Sequence, residues 1–122
     1  MNCQSRNLSQ QFYTNLVNLD FYNYENFTNL NLNSNYLTII NKDLFSKFIM
    51  LIQLDLSFNL IQTIEDNSFE SLINLKILKL NNNLIKSINR LTFNGLLSSL
   101  LNITLSNNRI SSIENGSINF NL

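Results

Sequence analysis

The sequence predicts a right-handed solenoid of about five coils, with short parallel strands along one side and return segments along the other, around one shared core. Three observations predict it. One arrangement of apolar residues recurs at a step of 24 residues. Each copy holds an apolar-x-apolar triplet, the alternation of a half-buried strand. An Asn stands three residues after each triplet, inside an otherwise apolar frame.

The clearest copies are LIQLDLSFNLIQTIEDNSFESLIN from Leu51 and LKILKLNNNLIKSINRLTFNGLLS from Leu75. Apolar residues coincide at Leu51/Leu75, Leu54/Leu78, Leu56/Leu80, Ile61/Ile85, Ile64/Ile88, Phe69/Phe93 and Leu72/Leu96, and Asn59 coincides with Asn83. One step back the frame gives Phe27, Leu30, Leu32, Asn35, Leu37, Ile40, Phe45 and Phe48. One step forward, now of 25 residues, it gives Leu100, Ile103, Leu105, Asn108, Ile110, Ile113 and Ile118; the extra residue falls in the loop around Ser98 and Ser99. Leu8, Tyr13, Leu16, Phe21 and Tyr24 form a weaker, N-terminal copy. The organisation is thus a degenerate repeat or cap over 1–26 and four repeats at 27–50, 51–74, 75–99 and 100–122, the last incomplete, with no second domain.

Each triplet (Leu30-x-Leu32, Leu54-x-Leu56, Leu78-x-Leu80, Ile103-x-Leu105) reads as a strand, and a fixed step stacks the four into one parallel sheet. The chain then turns, and the turn carries Asn35, Asn59, Asn83 or Asn108. An amide there can pair inward-facing backbone groups that no strand ladder reaches, so these four form a buried column. On the return side Phe45, Phe69 and Phe93 form a stacked aromatic column, with Ile118 in that place in the last copy. One coil cannot bury such faces alone; stacking on its neighbours does.

Composition narrows the chemistry. The 122 residues include eight Lys and Arg, eight Asp and Glu, and no His, for a net charge of +0. A neutral chain with 13% charged residues gives no electrostatic basis for binding nucleic acid. Without His, and with Cys3 as the single cysteine, the commonest acid/base group, a disulfide framework and a cysteine metal cage are excluded. The only glycines, Gly95 and Gly116, make no phosphate loop. Glu65, Asp66 and Glu70 lie together on a return segment, where they solvate a turn rather than line a pocket. The expectation is therefore no enzyme, no cofactor and no metal. No apolar stretch is long enough to span a membrane. The start of the chain lacks a signal-peptide core, which favours a cytoplasmic protein unless the chain is part of an extracellular one. Four glycosylation sequons begin at Asn7, Asn26, Asn102 and Asn115, as many as 25 Asn would produce by chance.

The repeat resembles the leucine-rich repeat family, in its typical 24-residue subclass with the pattern LxxLxLxxNxLxxIxxxxFxxLxx, which residues 51–74 and 75–98 follow closely. The resemblance implies an α/β solenoid that is curved, with the parallel strands on its concave face and loops or short helical turns on its convex face. It also implies a protein–protein interaction module. Extracellular members usually carry cysteine-rich caps, and here the chain departs from the family, since Cys3 stands alone.

Strand residues flanking the apolar pair are expected to face solvent on the concave side. They form rows: Asn29, Gln53, Ile77, Asn102; then Asn31, Asp55, Lys79, Thr104; then Asn33, Ser57, Asn81, Ser106; and beside them Ser34, Phe58, Asn82, Asn107. The candidate binding residues are Gln53, Asp55, Ser57, Phe58, Ile77, Lys79, Asn81 and Thr104, with Phe58 and Ile77 as apolar anchors and Asp55 paired to Lys79. A glycan at Asn102 would obstruct this face, which argues for an unglycosylated chain. The partner is another protein, of unspecified identity. The rival reading is a structural piece of a larger repeat protein with no independent activity. An uncapped C-terminal coil would present an open strand edge, so self-association through it is also expected.

Overall fold

The structure, a computed structural model, describes residues 26–118. Leu8, Tyr13, Leu16, Phe21, Tyr24, Cys3 and nearly all of the expected N-terminal repeat lie outside the described residues. The elements in chain order are β1 (Asn29–Asn31), β2 (Ile39–Ile40), β3 (Gln53–Asp55), β4 (Thr63–Ile64), β5 (Ile77–Lys79), β6 (Ser87–Ile88), β7 (Asn102–Thr104) and β8 (Ser112–Ile113).

The odd-numbered strands form one parallel sheet in the order β1-β3-β5-β7. Leu30 lies opposite Leu54, Leu54 opposite Leu78, and Leu78 opposite Ile103. The ladder runs past the strand ends: Leu32 N–H donates to Asp55 O at 2.8 Å, Leu56 N–H to Lys79 O at 2.9 Å and Leu80 N–H to Thr104 O at 2.9 Å. Parallel pairing is what a fixed step demands, because each coil must cross back before the next strand begins.

The α/β label does not describe what forms. Among the described residues there is no α-helix, and the architecture is a parallel β-solenoid. The return side carries two further parallel pairs, β2 with β4 and β6 with β8. These are followed by turns closed between residues three apart, such as Leu44 N–H to Asn41 O, Ser46 N–H to Asp43 O and Phe48 N–H to Phe45 O. Left-handed residues stand on the later three return segments, at Asn67 (φ 62), Gly95 (φ 89) and Gly116 (φ 82), whereas the first, over 41–50, carries none and is likewise a run of turns. Gly95 also has no room for a side chain, since a Cβ there would lie 2.5 Å from Glu70 Cα.

The extra residue of the third repeat is absorbed in one turn. Leu51 N–H and Leu75 N–H each bond the carbonyl three residues back, on Phe48 and Leu72, whereas Leu100 N–H reaches four residues back to Leu96 O. The turn widens by one residue and the next strand enters in register.

The core is continuous from coil to coil. Leu30, Leu54 and Leu78, with Leu32, Leu56 and Leu80, are buried on the sheet side. Phe45, Phe69 and Phe93 are buried on the return side and stack at centroid distances of 5.9 and 6.3 Å. Ile113 and Ile118 differ from the sequence expectation: they are 56% and 38% exposed, because no described coil stacks beyond β8 to cover them.

Candidate binding face

The turn after each strand sets the geometry of the sheet face. In it, Ser34, Phe58, Asn82 and Asn107 adopt left-handed backbone (φ 55–57). That conformation swings the following Asn inward. Asn59 Nδ2 donates to Leu56 O (3.1 Å) and Ser57 O (3.2 Å) of its own coil and to Leu32 O (3.0 Å) of the preceding one, and its Oδ1 accepts Leu37 N–H at 3.0 Å. Asn83 does the same one coil on, with Leu80 O, Leu56 O and Ile61 N–H. Asn108 repeats it with Leu105 O, Leu80 O and Ile85 N–H, and is half-buried. Asn35 donates to Leu32 O and Asn33 O. Asn59, Asn83 and Asn108 thus each join two coils through backbone groups that the sheet leaves unpaired, while the bonds of Asn35 to Leu32 and Asn33 close the turn of its own coil.

Outward from this ladder the strands present Gln53, Ile77, Lys79, Asn81 and Thr104, all half-buried, and Phe58, 57% exposed. Asp55 and Ser57 do not belong with them. Both were expected to face solvent, yet they are only 6% and 4% exposed. Asp55 Oδ1 accepts the N–H and hydroxyl of Ser57, and its Oδ2 pairs with Lys79 Nζ at 3.2 Å, so the two side chains are folded onto each other under the lysine. Burial pushes the Asp55 carboxyl up, but the Ser57 hydroxyl and N–H and the Lys79 ammonium together outweigh it and hold the group below its ordinary range. In the first coil Asn31 Oδ1 accepts Asn33 N–H in the same way. The signal was available in the sequence: an Asx residue two positions before a turn residue is a local capping pair.

Side chains also bond across coils, from Thr104 Oγ1 to Asn81 Oδ1 and from Asn107 Nδ2 to Asn82 Oδ1, both at 2.9 Å. The face is therefore a preformed, uncharged lattice of amides and hydroxyls, with one internally neutralised ion pair.

Sequence reasoning missed a second polar column on the return side. Ser68, Thr92 and Ser117 are buried. Ser68 Oγ donates to Ile40 O and Glu65 O, Thr92 Oγ1 accepts Asn89 N–H, and Ser117 Oγ donates to Glu114 O. The signal was a hydroxyl at one repeat position, immediately before Phe69 and Phe93. Glu65 is a turn group too, its Oε2 accepting Lys42 N–H, while Asp66 accepts from Asn89 Nδ2. Among the described residues no three Cys, Asp or Glu side chains come together as metal ligands, and no helix is long and apolar enough to cross a membrane.

A parallel solenoid stapled by one amide per coil is the hallmark of a stacked-repeat protein. A family model described as Leucine rich repeat matches residues 25–85, half of the chain, and the chain belongs to that family. No curated protein and no solved structure matches it. Leucine-rich repeat domains generally serve protein interaction and are typically non-enzymatic.

Proposed function

We propose that this chain is a protein-binding module that engages its partner through the four-stranded face, the concave side of the solenoid. The observation that carries the reading is Phe58. A bulky side chain at φ 55 is unfavourable, and its 57% exposure recovers little of that by burial. At the same repeat position Ser34, Asn82 and Asn107 are polar. Two residues on, Leu60 is exposed, as is Tyr36 at the equivalent position one coil earlier. An aromatic anchor held out in this way is suited to insertion into a partner. Ile77 adds a second apolar anchor on the same face, Gln53, Lys79, Asn81 and Thr104 offer adaptable polar contacts, and Asp55 and Ser57 act beneath them by holding Lys79. The test is to isolate a partner by affinity capture, then measure its Kd by calorimetry against variants. Phe58→Ala and Ile77→Ala should weaken binding, and the return-side control Leu91→Ser should not. Loss of binding with Leu91→Ser alone would place the interface on the other side.

Self-association is a second reading, favoured by the exposure of Leu101, Ile113 and Ile118 (64%, 56% and 38%) on the last described coil, whose strand β7 is an edge of the sheet. Light scattering over a concentration series tests it. A mass that rises with concentration, and falls back with Leu101→Lys, supports it; an unchanging monomer refutes it.

A further inference from the structure

Both glycines of the chain follow an asparagine, at Asn94-Gly95 and Asn115-Gly116. Asn-Gly is chemically labile because no Cβ shields the glycine nitrogen from the asparagine side chain. We infer that Asn115 is a site of spontaneous covalent modification, conversion to aspartate and isoaspartate through a succinimide, and that the fold protects Asn94 from the same reaction.

The two dipeptides occupy the same kind of turn. Leu96 N–H closes on Phe93 O at 3.1 Å and Ser117 N–H on Glu114 O at 3.1 Å, each with the glycine third in the turn at positive φ. Their surroundings differ. Asn94 Nδ2 donates to Asn67 Oδ1 at 2.8 Å, tying the amide that would have to turn back. Gly95 lies against the Glu70 backbone, so closely that a Cβ would reach 2.5 Å from Glu70 Cα. Ring closure at this site requires the Asn94–Gly95 peptide to reorient, and the Glu70 backbone packed against Gly95 leaves little room for it. Asn115 and Gly116 are both exposed. The contact holding Asn115 is through its main-chain oxygen, which accepts Arg90 Nε at 2.9 Å and leaves the side-chain amide available.

In the reaction the Gly116 nitrogen attacks Asn115 Cγ. The N–Cγ bond forms, the Cγ–Nδ2 bond breaks, and the nitrogen's proton leaves with Nδ2 as ammonia. Water then adds to either ring carbonyl and opens the succinimide to an aspartyl or an isoaspartyl residue. Either product places a new carboxylate beside Glu114, which is already paired with Arg90 at 3.2 Å. The isoaspartyl form also lengthens the main chain within the turn that buries Ser117.

The full chain is incubated warm at mildly alkaline pH, digested, and mapped by mass spectrometry, with isoaspartate resolved chromatographically. Asn115 should convert first, and Asn94 at least an order of magnitude more slowly. In denaturant the two rates should converge, because the protection of Asn94 is structural. Gly116→Ala should slow Asn115 by an order of magnitude and leave Asn94 unchanged. Equal rates at the two sites in the folded chain would overturn the inference, as would an Asn115 rate no higher than that of the non-glycine asparagines.

Discussion

Replacing Asn59 by Ala separates what a turn amide does from what its surroundings already supply. Four hydrogen bonds are lost on paper, but three of the partners keep another. Leu32 O still accepts from Asn35 Nδ2, Leu56 O from Asn83 Nδ2, and Ser57 O from Ser34 N–H. The group left stranded is the buried Leu37 N–H, for which Asn59 Oδ1 is the acceptor. One unpaired buried donor costs about 1–3 kcal/mol, so Asn59→Ala should destabilise by that amount rather than by the sum of four bonds. Asn83→Ala strands Ile61 N–H in the same way and should cost the same. Asn108→Ala should cost less, because its site is half-buried and water can replace it. The control is Asn102→Ala, an exposed strand amide, expected within about 0.5 kcal/mol of the parent. Urea unfolding followed by circular dichroism gives the comparison. A loss at Asn59 no larger than at Asn102 would refute the reasoning. A loss far above the single-donor range would show that the amides act as a cooperative ladder rather than as independent staples.

Three further outcomes are expected. Phe69→Ala removes the middle ring of the stacked column and should cost about 3–5 kcal/mol, seen as a large fall in the urea midpoint. Phe58→Asn places at φ 55 a residue that tolerates it, so the midpoint should rise by up to about 1 kcal/mol of stability while partner binding falls; a loss of stability would show that Phe58 packs usefully in the free chain. Asp55 has its carboxyl held below the ordinary range, so the unfolded chain takes up the proton first as pH falls. Its stabilisation is therefore present above the unfolded value, about 3.9, and is lost as pH drops through the lower folded value. Urea midpoints of the parent and Asp55→Asn should differ at neutral pH and converge in acid; a constant difference would count against the Asp55–Ser57–Lys79 contact.

By itself the sequence determined the repeat, the strand positions and the parallel register. The reason is that stacking converts a one-dimensional period into contacts: residues one step apart must meet, so Leu54 faces Leu78 and Phe69 stacks on Phe93. The tertiary structure decided what the period leaves open. That the return segments close as turns and not as helices is one such feature: the later three carry left-handed residues at Asn67, Gly95 and Gly116, and the first forms turns without one. Whether an outward strand residue meets solvent depends on what its neighbours fold over it, which is how Asp55 and Ser57 came to be buried beneath Lys79. The same is true of reactivity: Asn94 and Asn115 share one dipeptide, and the contacts of Asn67 and Glu70 with the first help to tell them apart. Periodicity specifies which residues stack, whereas burial, conformation and reactivity are set by side chains that no single repeat contains.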